Sequence, residues 1–155
     1  MMKKQSSAFT LIEVLISLVI LTVIATIGLV SLSRYRYLNE LDLETEKLAN
    51  YLRQARNRAI NGEEGLNWGV RLVNNQTNPH YYFLFKGDDY NNPLETIYLS
   101  SRIQFLDPSN GNFKDLIFQR ATGYHLATST IILALRNDQN ISKTITVNYY
   151  GLINY

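Results

Sequence analysis

The chain has 155 residues, enough to bury one hydrophobic core and short for two. Hydrophobic residues make up 46% and charged residues 18%, which excludes a wholly disordered chain, and the lack of cysteine excludes disulfides, thiolate metal sites and a cysteine nucleophile. Lys and Arg number 15 against 13 Asp and Glu, a formal charge of +2, so the overall balance gives no reason to expect a polyanionic partner.

The first eight residues, MMKKQSSA, are basic and carry no apolar segment. Phe9 to Ser33 then reads FTLIEVLISLVILTVIATIGLVSLS, with Glu13 its one ionisable side chain. The uncharged run from Val14 to Ser33 holds about 20 residues, and at ~1.5 Å per residue a helix of that length spans the ~30 Å hydrocarbon core of a bilayer. A secretory signal peptide is the competing reading, because Lys3 and Lys4 precede the run. Its apolar region would, however, hold only ~7 to 15 residues before a small-residue cleavage site, and here Ala25 lies inside the run. A buried helix of a soluble protein fits poorly too, since such helices keep a polar face. The expectation is a leader over residues 1–8 and a transmembrane helix over 9–33. Lys3 and Lys4 before the helix nearly balance Arg34 and Arg36 after it, so flanking charge does not fix the orientation. The short basic leader is the part expected to stay in the cytoplasm, with residues 34–155 outside.

Past the apolar run the helix continues. Leu38, Leu41, Leu48, Leu52, Ala55 and Ala59 recur at three- and four-residue steps or their sums, with Glu40, Glu44, Lys47, Arg53 and Arg56 largely on other faces. Acidic residues from Glu40 to Glu46 come early and Arg53, Arg56 and Arg58 come late, an order that suits the helix dipole, before Asn61-Gly62 closes the helix. A phosphate-binding patch is the other reading of the arginines, and dipole and solvation explain them more simply.

From Leu66 the period changes to two. Strands are predicted at Leu66 to Val73, His80 to Lys86, Thr96 to Phe105 with a break at Ser100-Ser101, Lys114 to Phe118, Thr130 to Leu135 and Lys143 to Asn148. Turn-forming stretches separate them at Asn74 to Pro79, Gly87 to Pro93, Asp107 to Asn112, Ala121 to Gly123 and Arg136 to Asn140. Short strands joined by short polar loops imply an antiparallel sheet, with the amphipathic helix covering one face. The fold class is therefore α+β, a long N-terminal helix packed on an antiparallel sheet.

Glu13 needs an explanation, since a carboxylate within a membrane helix costs about 2.5 to 3.5 kcal/mol at mid-membrane and less near the interface. Snorkelling to the headgroups or protonation would relieve it. Its neighbourhood suggests a role instead. Ala8-Phe9-Thr10-Leu11-Ile12-Glu13-Val14-Leu15, after a Lys-bearing leader, resembles the class III signal of type IV pilins and pseudopilins. The resemblance implies that a membrane prepilin peptidase cuts between Ala8 and Phe9 and methylates the new Phe9 amine, and that Glu13 is the fifth residue of the mature chain. Ala8 stands where the family usually has Gly. The family's frequent mid-membrane Pro is missing, with Gly28 the nearest helix-weakening residue. After cleavage Glu13 could pair with the Phe9 amine of a neighbouring subunit in low dielectric, setting the axial register of helices in a filament. Loss of Lys3 and Lys4 takes Lys and Arg from 15 to 13, equal to the 13 Asp and Glu, so the basic excess belongs to the leader.

The rest of the chain extends the resemblance. Leu48 to Ile60 (LANYLRQARNRAI), followed by a strand at Trp68 to Val73, is similar to the helix-to-sheet passage of the H-type pseudopilins and their minor-pilin relatives. Lys143 to Ile153 (KTITVNYYGLI) resembles that group's last hairpin, a strand, a turn with Gly151 and a final strand. Some DNA-binding members end in Gly-Arg-x-Arg. Here the segment reads Gly151-Leu152-Ile153-Asn154, so nucleic acid is not an expected partner.

No enzyme signature competes. His80 and His125 are the only histidines, each in an apolar or aromatic setting that suggests packing, and neither a His-x-x-x-His spacing nor a Gly-x-Ser-x-Gly elbow occurs. Asp88-Asp89-Tyr90-Asn91-Asn92 offers oxygens for Ca²⁺ but lacks the spaced acidic pattern and closing Glu of a dedicated site, and reads as a solvated turn. Tyr81, Tyr82, Tyr149, Tyr150 and Tyr155 suit strands and interfaces alike. No cofactor, metal or catalytic residue is expected. The expected protein is a minor pilin or pseudopilin of the inner membrane, assembled through its helix into a type IV pilus or a type II secretion pseudopilus. The alternative is a filament-displayed binding module for DNA uptake or adhesion. The expected partners are the prepilin peptidase/N-methyltransferase, other pilin or pseudopilin subunits and the membrane itself.

Overall fold

The computed structural model describes residues 10–77, 79–91 and 93–155, the side chains of 27–31 apart. Helix α1 (Leu11–Ile60) and a 3-10 turn (Glu63–Gly65) precede eight strands: β1 (Trp68–Val73), β2 (Tyr81–Lys86), β3 (Glu95–Tyr98), β4 (Ile103–Asp107), β5 (Phe113–Phe118), β6 (Ser129–Leu135), β7 (Asp138–Val147) and β8 (Ile153–Asn154). The chain divides into two units, Met1–Leu38 and Asn39–Tyr155, and α1 contributes to both.

In the second unit the apolar stripe of α1 is buried as its spacing requires. Leu41, Leu48, Leu52, Ala55 and Ala59 are each at most 1% exposed. Two positions differ from the sequence expectation. Leu38 is 37% exposed, while Thr45 lies buried in the stripe, one turn after Leu41, and its hydroxyl donates to the Leu41 carbonyl at 2.7 Å. A hydroxyl satisfied inside its own helix can take a core position without a desolvation penalty. The helix ends at Ile60, ahead of Asn61-Gly62 as expected.

The period-two segments form antiparallel ladders, but in two sheets where the sequence suggests one. Their strand orders are β3-β2-β1-β5 and β4-β6-β7-β8. The division falls at the Ser100-Ser101 break: the Ile103 amide donates to the Ser100 carbonyl at 3.0 Å, and that turn sends β4 into the second sheet. β7 also starts at Asp138, inside a predicted loop, and the connection from β6 shrinks to Arg136-Asn137. Most residues from Asp138 to Thr144 are exposed, so that half of the strand carries no apolar alternation to reveal it. The final hairpin is as expected, with Val147 facing Ile153 across Gly151.

Both sheets bury against the same helix stripe. Val70, Leu72, Leu84 and Leu116 of the first sheet and Ile103, Leu133, Ile145 and Val147 of the second belong to one core with Leu48 and Leu52. Each such side chain contributes about 1.5 to 3 kcal/mol when fully buried. On the opposite face of the first sheet, Arg71 makes two 2.6 Å bonds to its cross-strand neighbour Asp115. The Arg71 guanidinium lies over the rings of Tyr90 and Phe113, at 3.9 and 4.4 Å from their centroids. Gly69 on that face lets its cross-strand partner Phe85 lie flat, since a Cβ there would sit 2.5 Å from the Phe85 ring.

Among the polar contacts that join the sheets where their strands end, Lys114 of β5 bonds Asp107 of β4 and the Thr130 carbonyl of β6, and two more are made by Asn74 and His80. Asn74, 2% exposed just after β1, donates its side-chain amide to the carbonyls of Phe105 at 3.0 Å and Pro108 at 2.6 Å. The sequence placed Asn74 at the head of a turn, and its bracing role depends on contacts too distant in the chain to be read there. The second contact joins His80 to Arg136, whose Nη2 donates to His80 Nε2 at 2.7 Å. Because a guanidinium only donates, this bond assigns the neutral ring a proton on Nδ1. Burial, and secondly the Arg136 charge, hold the imidazole below its ordinary value.

These contacts generate two predictions for a fragment spanning residues 34–155. Asn74→Ala orphans two buried carbonyls, and urea denaturation should show a loss of about 2 to 4 kcal/mol. Folded His80 stays neutral where the unfolded chain's imidazole takes a proton, so the unfolded state binds more protons and stability falls as pH drops below ~6.5. Thermal melts across that range should record the loss, and His80→Gln should reduce it.

Candidate functional site

The N-terminal motif places its described residues at a helix start. Thr10 precedes α1 and accepts the Glu13 backbone amide on both its hydroxyl, at 3.3 Å, and its carbonyl, at 3.1 Å. Thr10 is therefore the N-cap and Glu13 occupies the third helical position, the Thr-x-x-Glu spacing of a capping box. The Thr10-Leu11-Ile12-Glu13 spacing carries that signal in the sequence itself. The Glu13 carboxylate sits in the first turn, where the helix dipole favours an anion. It takes part in none of the ion pairs among the described residues. Ala8 and Phe9, the expected cleavage pair, lie outside the described residues.

From Leu11 to Ile24 the apolar side chains are exposed around the helix, Leu11 at 80%, Leu15 at 50% and Val19 at 62%. An apolar surface of this extent needs a non-aqueous environment or a partner. The hydroxyls within it are satisfied by the helix itself: Ser17 donates to the Glu13 carbonyl at 2.7 Å, and Thr22 and Thr26 to the Val19 and Val23 carbonyls at 2.8 Å. These side chains carry no unmet donor into an apolar medium. Among the described residues no helix is long and apolar enough to cross a membrane. The expected span over residues 9–33 includes the undescribed Phe9 and the side chains of 27–31.

In the second unit the sequence-selected residues serve structure. Arg53 lies over the Tyr155 ring at 5.1 Å, Arg56 donates to the Tyr150 carbonyl at 3.4 Å, and Arg58 pairs with Glu63 at 3.2 Å while lying over Trp68. The three arginines therefore clasp the C-terminal hairpin and the 3-10 turn to α1, a role beyond the dipole and solvation reading. Gly151 makes the clasp possible. Its φ is +71°, and a Cβ there would fall on the Gly123 carbonyl, so no other residue fits. His125 is held by the Ile117 carbonyl and the Ser129 hydroxyl, both at 2.9 Å, and packs near Phe118, in keeping with its expected packing role. Asp88 and Asp89 occupy the turn after β2, where the Asp89 amide donates to the Lys86 carbonyl at 3.2 Å. Glu44 departs from expectation: one of its oxygens is buried with no hydrogen-bond partner, and its charge adds to the burial that pushes the Tyr82 phenol up.

The tyrosines gather in two places. Tyr124, Tyr149 and Tyr150 form a three-ring cluster beside the C-terminal hairpin, with centroids 5.4 to 5.6 Å apart. Tyr51 meets Tyr82 edge to face at 5.6 Å beneath the first sheet. Burial, helped by a hydrogen bond to Glu95, pushes the Tyr51 phenol up to about 12.

Comparisons with known proteins agree with this arrangement. Residues 3–29 match the family model of the prokaryotic N-terminal methylation motif. No curated protein sequence matches the chain. The fold resembles the crystal structure of the type IV minor pilin FimU of Pseudomonas aeruginosa strain PAO1, with 13% identity, a TM-score of 0.55, and coverage of 74% of this chain and 90% of that one. A second crystal form of FimU gives 14% identity, a TM-score of 0.57, and coverage of 75% and 87%. Identity this low speaks for the fold and leaves FimU's own role to FimU. Residues 3–29 thus carry the prokaryotic N-terminal methylation motif, and the fold is similar to that of a type IV minor pilin.

Proposed function

We propose that this chain is a minor pilin, a non-enzymatic subunit of a type IV pilus. It is cut between Ala8 and Phe9, methylated on the Phe9 amine and held in the inner membrane by residues 9–33, with 34–155 outside. Assembly follows through Glu13. The observation that carries this reading is the capped start of α1: the proposed cut leaves Phe9 directly before the Thr10 cap and Glu13 one turn in. A free amine at this point is a cation at the positive end of a helix dipole, an unfavourable place for it. The Glu13 carboxylate within the first turn offsets that charge. The same carboxylate can reach the amine of a neighbouring subunit, where low dielectric strengthens the attraction.

Processing tests the reading. Mass spectrometry of the protein extracted from membranes should find a chain beginning at Phe9 with one added methyl group. A mature chain starting near Ala25 or later would mean ordinary signal-peptide cleavage and end this account.

A further inference from the structure

Three segments of the second unit meet at the C-terminal hairpin: residues 50–60 of α1, the loop 119–126 that follows β5, and residues 148–155. The Ala121 amide donates to the Ala59 carbonyl at 2.8 Å and the His125 amide to the Tyr149 carbonyl at 2.9 Å, while Arg53 lies over Tyr155. These segments contain four arginines and neither Asp nor Glu. Two of the four turn to the 3-10 turn, where Arg58 meets Glu63 and Arg120 donates to the Gly65 carbonyl.

Arg53 and Arg56 stay with the hairpin, and neither takes part in an ion pair among the described residues. Their partners are neutral. Arg53 donates to the Asn50 side chain at 3.0 Å and Arg56 to the Tyr150 carbonyl at 3.4 Å. Such contacts fix where the two guanidiniums sit and leave their charge uncompensated. Around them lies exposed apolar surface: Tyr149, Tyr150, Leu152 and Tyr155 are 50 to 57% exposed, and Leu126 is 72% exposed. Tyr124, Tyr149 and Tyr150 pack on one another, so these rings are ordered before anything binds and lose little freedom to a partner.

Tyr and Arg without Lys, Asp or Glu is the composition of a protein-protein contact, where aromatic rings and guanidiniums carry most of the binding energy. A polyanionic chain would use the two charges and leave the leucines in water. Positive charge with no counterion selects a negative partner and speeds its approach. We propose that this surface docks an acidic segment of a partner protein, its carboxylates toward Arg53 and Arg56 and its apolar side chains against the tyrosines and leucines. The surface lies wholly within the second unit and uses neither the processing site nor Glu13, so this inference and the filament reading can fail separately.

A fluorescent, end-blocked peptide of sequence Glu-Leu-Asp-Phe-Glu-Leu-Asp, whose extended form puts acids on one face and apolar groups on the other, is the probe. Anisotropy is followed with the full-length protein in phosphatidylcholine nanodiscs, with empty discs as the blank. Binding should saturate with Kd of roughly 0.1 to 1 mM and weaken at least about threefold between ~50 and ~500 mM NaCl. The peptide with Gln and Asn for its acids, and the one with Ser for its apolar residues, should each bind at least about fivefold more weakly. Arg53→Gln should weaken the acidic peptide about threefold, and Arg53→Lys, which keeps the charge, should weaken it less. Because Arg53 also holds the hairpin, Leu126→Ser with Leu152→Ser provides a variant that touches no clasp, and it should weaken binding by a similar factor. The proposal is overturned if the acidic peptide does not saturate by about 5 mM, if the amide peptide binds as well, if a thymidine oligonucleotide binds more tightly, or if the double variant binds as the wild type does.

Discussion

One buried helix face holds the second unit together. The stripe from Leu41 to Ala59 is the surface on which both sheets close their core, since inward residues of each meet the same leucines and alanines. Inner residues of both four-stranded sheets share this core with the helix leucines and alanines, so the helix spacing of three and four residues helps set where each sheet can lie. The remaining contacts act at the edges of that layer. Asn74 and the His80–Arg136 pair tie the sheet ends, while Arg53, Arg56 and Arg58 tie the C-terminal hairpin and the 3-10 turn back to the helix.

Much of this was legible in the sequence, where local pattern and final environment agree. The helix stripe, its end before Asn61-Gly62, six of the strand segments and the last hairpin all follow from periodicity and turn chemistry. What the pattern could not show depends on distant partners. Two sheets form because the turn at Ser100 redirects β4, and a break inside an apolar run says nothing about which neighbours the two halves will find. β7 begins early because its first half is exposed and polar, leaving no alternation to mark it. The arginines look like dipole partners until the hairpin they hold is seen, and Thr45 looks like a surface residue until its hydroxyl turns back on the Leu41 carbonyl.

At the other end of α1 the logic is reversed, because apolar side chains from Leu11 to Ile24 are left exposed and the hydroxyls among them are satisfied within the helix. A segment built this way gains nothing from water and suits a lipid or a bundle of like helices. The exception is Glu13, whose carboxylate sits in the first turn beneath the Thr10 cap. The proposed subunit uses that one polar point to find register among otherwise interchangeable apolar surfaces, a task for which a single paired charge is well suited.

The most direct measurement is filament incorporation of Glu13→Gln and Glu13→Ala beside their processing. Gln keeps the shape and hydrogen bonding of the side chain and removes the charge, while Ala makes the helix more apolar and leaves membrane insertion intact. The account predicts that both variants are cut before Phe9 and that both are largely lost from assembled filaments, because the neighbouring amine is left without its partner. Assembly of both variants at wild-type levels would contradict it, and Glu13 would then be a charge the helix tolerates rather than one the filament uses.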